Sequence, residues 1–170
     1  VLRDLHILER IREVYAAVTF TITTADDDLA RKLEPGAPAP SARLQAMRVL
    51  AGHGILTGVT LMPILPYIED SEENIAGILD RAHAAGASYI IPGLGMTLRD
   101  RQRAFYYEKL DQLFPGLRQQ YERQFGDSYS CPPNGARRLE RLVAERCQRY
   151  GMAQRIPLYA PAGGRQLSLL

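Results

Sequence analysis

Ile55 to Pro66 reads ILTGVTLMPILP, and this stretch decides the fold class. It is a nearly continuous apolar run that ends in a proline-bounded loop. A strand without polar alternation belongs to a parallel sheet covered by helices rather than to a half-solvated antiparallel one. Working outward, Ala17 to Thr24 (AVTFTITT) is β-branched and aromatic and reads as a strand, and so does Ala87 to Gly95 (ASYIIPGLG). Between these runs lie helical patterns. Asp26 to Asp28 offer N-cap carboxylates for a short helix that must stop before Pro35, and Ser41 caps the next. Asp70 or Ser71 begins another, with Gly86 at its end. Residues 2–15 precede the first strand as a helix, and helices over 99–113, 116–125 and 134–150 follow the last. The order predicts an α/β protein with a parallel sheet. Three strands are too few for an independent doubly wound sheet, but suit the back half of a (β/α) barrel. Sites in such folds lie at the C-terminal strand ends.

The chain has 170 residues, 46% of them apolar, with two Cys, three His and no Trp. That excludes a wholly disordered chain and a disulfide-dense scaffold. No apolar run approaches the roughly 20 residues of a membrane span, so no membrane partner is expected. There is no signal-peptide pattern, and a reducing cytoplasmic location is the default. Two cysteines cannot supply a site that needs three or four thiolates, and no metal ligands are assigned. The chain opens at Val1 inside an amphipathic pattern of Leu5, Leu8, Ile11 and Val14, which reads as a piece of a longer protein or as a trimmed chain. Residues 1–98 carry a net charge of −4 and residues 99–170 a net +6. A basic C-terminal half admits nucleic acid as an anionic partner, or simply solvated helix faces.

Several residues at the strand ends have chemistry to offer. Thr21 and Thr23 share one strand face, where hydroxyls bind polar ligand groups or merely satisfy β-propensity. Pro63 and Pro66 remove backbone donors where a strand ends. The free carbonyls suit a ligand amine such as that of adenine, and Met62 or Ile64 offers an apolar surface for its ring. Pro92 to Gly95 (PGLG) permits close approach, but is neither a dinucleotide nor a phosphate-binding loop. Glu34 is a loop carboxylate with either a site or a surface role. Arg99, Arg101 and Arg103 alternate near Phe105, Tyr106 and Tyr107, an arrangement that binds nucleic acid or packs as a helical stripe. Cys131 in DSYSCPPN reads as an accessible loop thiol, reactive or inert, and Cys147 as a core residue.

Taken together, the strings from TITTADDDLARKLEPG through GVTLMPILPYIED and ASYIIPGLGMTLRD resemble radical S-adenosylmethionine (radical SAM) proteins. The group resembled is the spore photoproduct lyase-like, or "DNA repair photolyase", set, and GDSYSCPPNGARRL is similar to its segment after the barrel. The resemblance covers residues 1–152. It implies a partial (β/α)6 TIM-type barrel with additional C-terminal helices, of which this chain holds the C-terminal part. It also implies a 4Fe-4S cluster on a CxxxCxxC loop, SAM as cofactor, and a reductant such as flavodoxin or ferredoxin. The cluster reduces SAM to a radical that abstracts a substrate hydrogen atom.

Carried over by position, the resemblance implies Thr21 and Thr23 at the SAM amino-acid or ribose part. Met62, Pro63 and Ile64 fall near adenine, as do Pro92 and Gly93. It departs from the family in lacking CxxxCxxC, and also the glycine-rich second-strand motif, so the chain alone is expected to be inactive. The expected organisation is the back half of the barrel over 1–98, strands four to six, then a helical extension over 99–152 and a flexible tail over 153–170. A non-catalytic barrel remnant or a nucleic-acid-binding module is the alternative.

Overall fold

Three parallel strands carry the fold of the computed structural model, which describes residues 1–160. β1 (Ala17–Thr21), β2 (Leu56–Leu61) and β3 (Tyr89–Pro92) stand in the order β1-β2-β3. The register aligns Thr19 with Gly58 and Tyr89, and Thr21 with Thr60 and Ile91. Before β1 comes α1 (Leu5–Arg12), led by a single 3-10 turn at Leu2–Asp4, where the periodicity predicts one longer helix. α2 (Asp27–Leu33) and α3 (Pro40–Gly52) connect β1 to β2, and α4 (Glu72–Ala84) connects β2 to β3. The molecule is therefore mixed α/β with a small parallel sheet. That sheet is open, and among the described residues no barrel closes.

Parallel neighbours point their side chains the same way, so the register defines two faces. One face carries Ile22, Val59, Leu61 and Ile90, all buried against Leu44 and Met47 of α3 and Ile75, Ile78 and Leu79 of α4. α7 (Ala136–Tyr150) returns to this same core through Leu139, Val143 and Cys147. The other face carries Thr19, Thr21, Gly58, Thr60, Tyr89 and Ile91. Here the Tyr89 ring lies across Gly58, where a Cβ would come within 2.3 Å of it, and reaches the Thr19 hydroxyl at 2.5 Å. Only glycine at position 58 leaves room for that ring.

A second, smaller core forms beyond β3. β4 (Met96–Thr97) pairs antiparallel with β5 (Ser130–Cys131), and α5 (Asp100–Leu113) and α6 (Leu117–Phe125) lie between them in sequence. Leu98, Tyr107, Leu110, Tyr121, Phe125 and Cys131 are buried together there. This pairing corrects the reading of Cys131 as an accessible loop thiol. Two-residue strands are too short to show alternation, so the sequence pattern carried no sign of the ladder that buries it.

Two further details differ from the sequence reading. Ala39, not Ser41, occupies the cap position of α3, and Pro40 stands at its first turn, where a missing N–H costs nothing. Ser41 instead donates its backbone N–H and its hydroxyl to the Asp27 carboxylate, tying α3 to the start of α2. After α7, Ala153 accepts from Ile90 N–H at 2.8 Å and donates to Ser88 at 3.0 Å, and the Tyr15 hydroxyl donates to Pro157 O. The chain from 153 to 157 is thus fastened beside β3 at Ala153 and to Tyr15, ahead of β1, at Pro157. Residues 161–170 of the expected tail lie outside the described residues.

Candidate functional site

The C-terminal ends of β1 and β2 are stitched together by side chains. Beyond β1, the Thr23 hydroxyl donates to Glu69 Oε1 at 2.7 Å. Glu69 lies seven residues beyond Met62, at the end of the proline-bounded loop. Its other oxygen accepts the Leu65 N–H at 3.0 Å, so the carboxyl closes back on its own turn. Asn74, in the first turn of α4, donates to Thr23 O at 2.9 Å and Glu69 O at 2.8 Å, and accepts from Ala25 N–H at 2.8 Å. One amide therefore fixes both strand extensions to one helix.

Glu69 is 2% exposed. Burial disfavours its charged form, and Glu34 and Asp70 add like charge, so its carboxyl is pushed up to about 7 in spite of the bonds from Thr23 and Leu65. A carboxyl that exchanges its proton near neutrality, set beside a cavity, marks a candidate functional position. Sequence reading did not single it out. The available signal was an acid embedded in PYIED directly after a strand-end loop.

Glu69 forms part of the wall of a cleft of about 520 Å3 at this rim. One side is α2 with the α2–α3 loop, through Leu33, Glu34 and Pro35. The other is α5, through Leu110 and Leu113, with Phe114 just beyond it. Thr23, Pro63 and Leu65 also line it. Below the rim runs a chain of hydroxyls: Tyr106 donates to Tyr121 at 3.0 Å, and Tyr121 donates to Pro66 O at 2.6 Å. Burial raises both phenols, Tyr106 to about 12, so both stay neutral and act as hydrogen-bonding groups only. The walls are largely apolar, with charged and hydroxyl side chains set among them, as in small-molecule sites.

The residues expected at a SAM site do not all reach one place. Thr21 ends β1 exposed, its carbonyl accepting from Arg43 at 2.7 Å. Met62 and Pro63 are exposed at the end of β2, and Met62 lies over Gly93, with Pro92 half-buried beside it. Thr23 is turned to Glu69. Ile64 is a correction: it is 0% exposed within the main core and can frame no ligand, because the turn after Pro63 returns the chain inward.

Glu34 pairs with Arg43 at the cleft. Of the basic-aromatic run, Arg99 and Arg101 are exposed, whereas Arg103 donates to Leu98 O, Gly126 O and Ser128 O. Phe105 is exposed, Tyr106 half-buried and Tyr107 buried, so the stripe reading holds for two of the three. Both cysteines are free and buried in separate cores, and burial raises both thiols. Among the described residues no group of three or more His, Cys, Asp or Glu could hold a metal ion, and no helix is long and apolar enough to cross a membrane.

Fold and rim thus define an α/β protein with a small open parallel sheet and a cleft at its C-terminal edge. Proteins described as uncharacterized, from Mycobacterium bovis and two strains of Mycobacterium tuberculosis, are similar to it. Each is 29% identical over 152 residues, which make up 89% of this chain and 44% of the relative. The chain therefore spans less than half the length of these relatives. No family model matches the chain. No solved structure matches it.

Proposed function

We propose that this chain is the C-terminal part of a radical SAM enzyme, with β1, β2 and β3 as the fourth to sixth strands of a partial (β/α)6 barrel. The observation that carries the reading is the uneven covering of the sheet. α3, α4 and α7 all pack on one face. The other face presents Thr21 and Thr60 in register and, at its rim, Met62 over Gly93. In a (β/α) barrel the helices likewise cover one face of the sheet, the other face turns inward, and the site lies at the C-terminal strand ends.

The two cysteines do not fit a 4Fe-4S cluster, being buried in different cores. In this reading the cluster ligands lie outside the chain, and no step runs through its thiols. The rim does fit the adenosine end of SAM. A Cβ on Gly93 would meet Met62 Sδ at 2.6 Å, so glycine is what lets the thioether lie across the strand end with its outer side free. The Thr21 hydroxyl is exposed on the same sheet face. When bound with its cluster, SAM supplies hydrogen-atom abstraction. This chain's residues bind and orient: Thr21 by hydrogen bond, and Met62, Pro63 and Gly93 by contact with the ring, whereas Pro92, in register with Leu61, lies on the helix-covered face.

The test uses the whole protein that contains this chain, reconstituted with iron and sulfide without oxygen and supplied with SAM and a flavodoxin- or ferredoxin-type reductant. Formation of 5′-deoxyadenosine is expected, and its absence would sink the reading. Thr21→Val should weaken SAM binding about 5-fold to 10-fold, the loss of one ligand hydrogen bond; unchanged affinity removes Thr21 from the site. Cytoplasmic location follows from the same reading, since such clusters need a reducing compartment.

The nucleic-acid alternative has less support. Arg138 and Arg146 of α7 pair with Glu72 and Asp80 of α4, and Arg103 is spent on carbonyls. It would be revived by DNA binding that falls steeply with salt.

A further inference from the structure

Of the 21 basic residues in the chain, 19 are arginines, and the two lysines are Lys32 and Lys109. They are 77 positions apart in sequence, yet both stand on the rim of the cleft that Glu69 helps to line. Lys32 comes from α2 on one side and Lys109 from α5 on the other. Neither ammonium is within ion-pair distance of a carboxylate among the described residues. Lys32 Nζ sits 4.1 Å from the centre of the Phe114 ring, and Lys109 Nζ lies 5.6 Å from that of Phe105 and donates to Gln112 at 2.9 Å. The third rim cation, Arg43, is matched by Glu34. Two unneutralised charges therefore stand on a largely apolar cleft that one buried carboxyl, Glu69, also lines.

We propose that this cleft binds a small organic anion, its flat apolar body between Leu33, Leu113 and Phe114, its acid group at Lys32 and Lys109, and the Glu69 carboxyl in the wall behind it. The proposal stands whether or not the chain belongs to a radical SAM protein. The lysines supply charge without rigid geometry, since each ammonium is a mobile point donor on a four-carbon stem. They attract any acid group and select by the shape of the body behind it. Lodged over ring faces, they also lose little on giving up their present partners, because a half-exposed cation–π contact is worth about 1 kcal/mol or less.

Glu69 adds a gate. Protonated, it is a neutral part of the wall, its oxygens accepting from Thr23 and the Leu65 N–H. Ionised, it is a second negative charge in a confined apolar space. The groups facing it decide which form prevails. Thr23 and the Leu65 N–H favour the anion, while Glu34 from the α2–α3 loop and Asp70 from its own loop oppose it. Tyr106 of α5 stays neutral across the physiological range. Lys32, Arg43 and Lys109 complete the charged lining. Anion affinity should therefore fall as pH rises through about 7.

The probe is 8-anilinonaphthalene-1-sulfonate, a flat aromatic body with one acid group, and its uncharged counterpart is N-phenyl-1-naphthylamine. With the chain as it stands, at about pH 6, the sulfonate should bind saturably at one site and at least about tenfold more tightly than the uncharged dye. Lys32→Glu and Lys109→Glu should each weaken the sulfonate by about fivefold or more, and Arg141→Glu on α7 should not. Both lysines are exposed, so far-UV circular dichroism should show these variants folded. Raising the pH to about 8 should weaken the sulfonate about tenfold, and Glu69→Gln should abolish that dependence. If Glu69→Gln does not fold, Thr23→Val serves instead: it removes a bond to the ionised form and should move the midpoint to higher pH.

Equal affinity for the two dyes would overturn the proposal. So would charge reversals at the lysines that act no more strongly than the one at Arg141, since the dye would then sit elsewhere, such as on the exposed Ile7, Ile11 and Val14. A pH profile that persists in Glu69→Gln, or a midpoint unmoved in Thr23→Val, would overturn the gate.

Discussion

Glu69→Gln removes a group whose protonation is tied to folding, and the size of that tie follows from the structure. The Glu69 carboxyl is 2% exposed and titrates at about 7 when folded, against 4.5 for the free side chain. The raised value sets the sign. Between pH 4.5 and about 7 the folded carboxyl keeps a proton that the unfolded one has released, so stability falls as pH rises through that interval. The interval spans about 2.5 pH units at about 1.4 kcal/mol each. About 3 kcal/mol of stability present below pH 4.5 is therefore gone above pH 7.

Glutamine does not ionise and keeps most of the shape. Every other group titrates in both proteins and cancels in the difference. Urea unfolding at a series of pH values, followed by far-UV circular dichroism, should show the variant gaining about 3 kcal/mol on the parent between about pH 4.5 and about pH 8. A gain below about 1 kcal/mol would mean that water reaches the carboxyl and that its burial does not govern its charge. A change in the parent's favour would mean that Lys32, Arg43 or Lys109 stabilises the anion, and the reasoning would be refuted outright.

Gly58→Ala should cost about 1–3 kcal/mol in chemical denaturation, because its Cβ would meet a Tyr89 ring that is fully buried and bound to Thr19. An unchanged midpoint would mean that the ring can move aside. Tyr107→Phe should raise stability by up to about 1 kcal/mol, since its buried hydroxyl has no hydrogen-bond partner among the described residues; a loss would reveal a bound water. Neither cysteine should react with Ellman's reagent in the native protein, because both thiols are buried and raised above their ordinary range. Fast labelling of one thiol without denaturant would show that the β4–β5 ladder opens.

The elements legible in the sequence were those with long, repeated signals. Ile55 to Leu61 shows a parallel strand because it is apolar without a break, and α4 shows its start because Ser71 accepts the Asn74 N–H as a cap should. β4 and β5 left no mark, since two residues each make no pattern, and with them went the burial of Cys131. By its place after a strand Ile64 is as good a surface for an adenine ring as Met62; the tertiary path of the loop, not local preference, turns it into the core. Thr23 was found as a hydroxyl at a strand end. Its partner Glu69 was not, because the contact joins positions 46 residues apart and neither residue alone announces it.

That contact owes its permanence to Asn74. An open three-stranded sheet gives its rim no closure, and among the described residues no strand pairs with the outer edge of β1, where the Thr21 carbonyl accepts from Arg43. The rim is organised from α4 instead. The Asn74 side chain donates to the carbonyls of Thr23 and Glu69 and accepts from Ala25, and Arg81, two turns on, holds Ala25 O. With the backbone fixed on both sides, the Glu69 carboxyl can meet Thr23 and the Leu65 N–H without first being ordered, so the bonds that hold it cost little entropy to form. The same fixation keeps it out of water and raises its titration. A carboxyl on a free loop would swing out and ionise at its ordinary value. One helix N-terminal amide thus fixes the backbone on both sides of the Thr23–Glu69 contact, so the carboxyl's place at the cleft is set from α4 and not from the sheet edge.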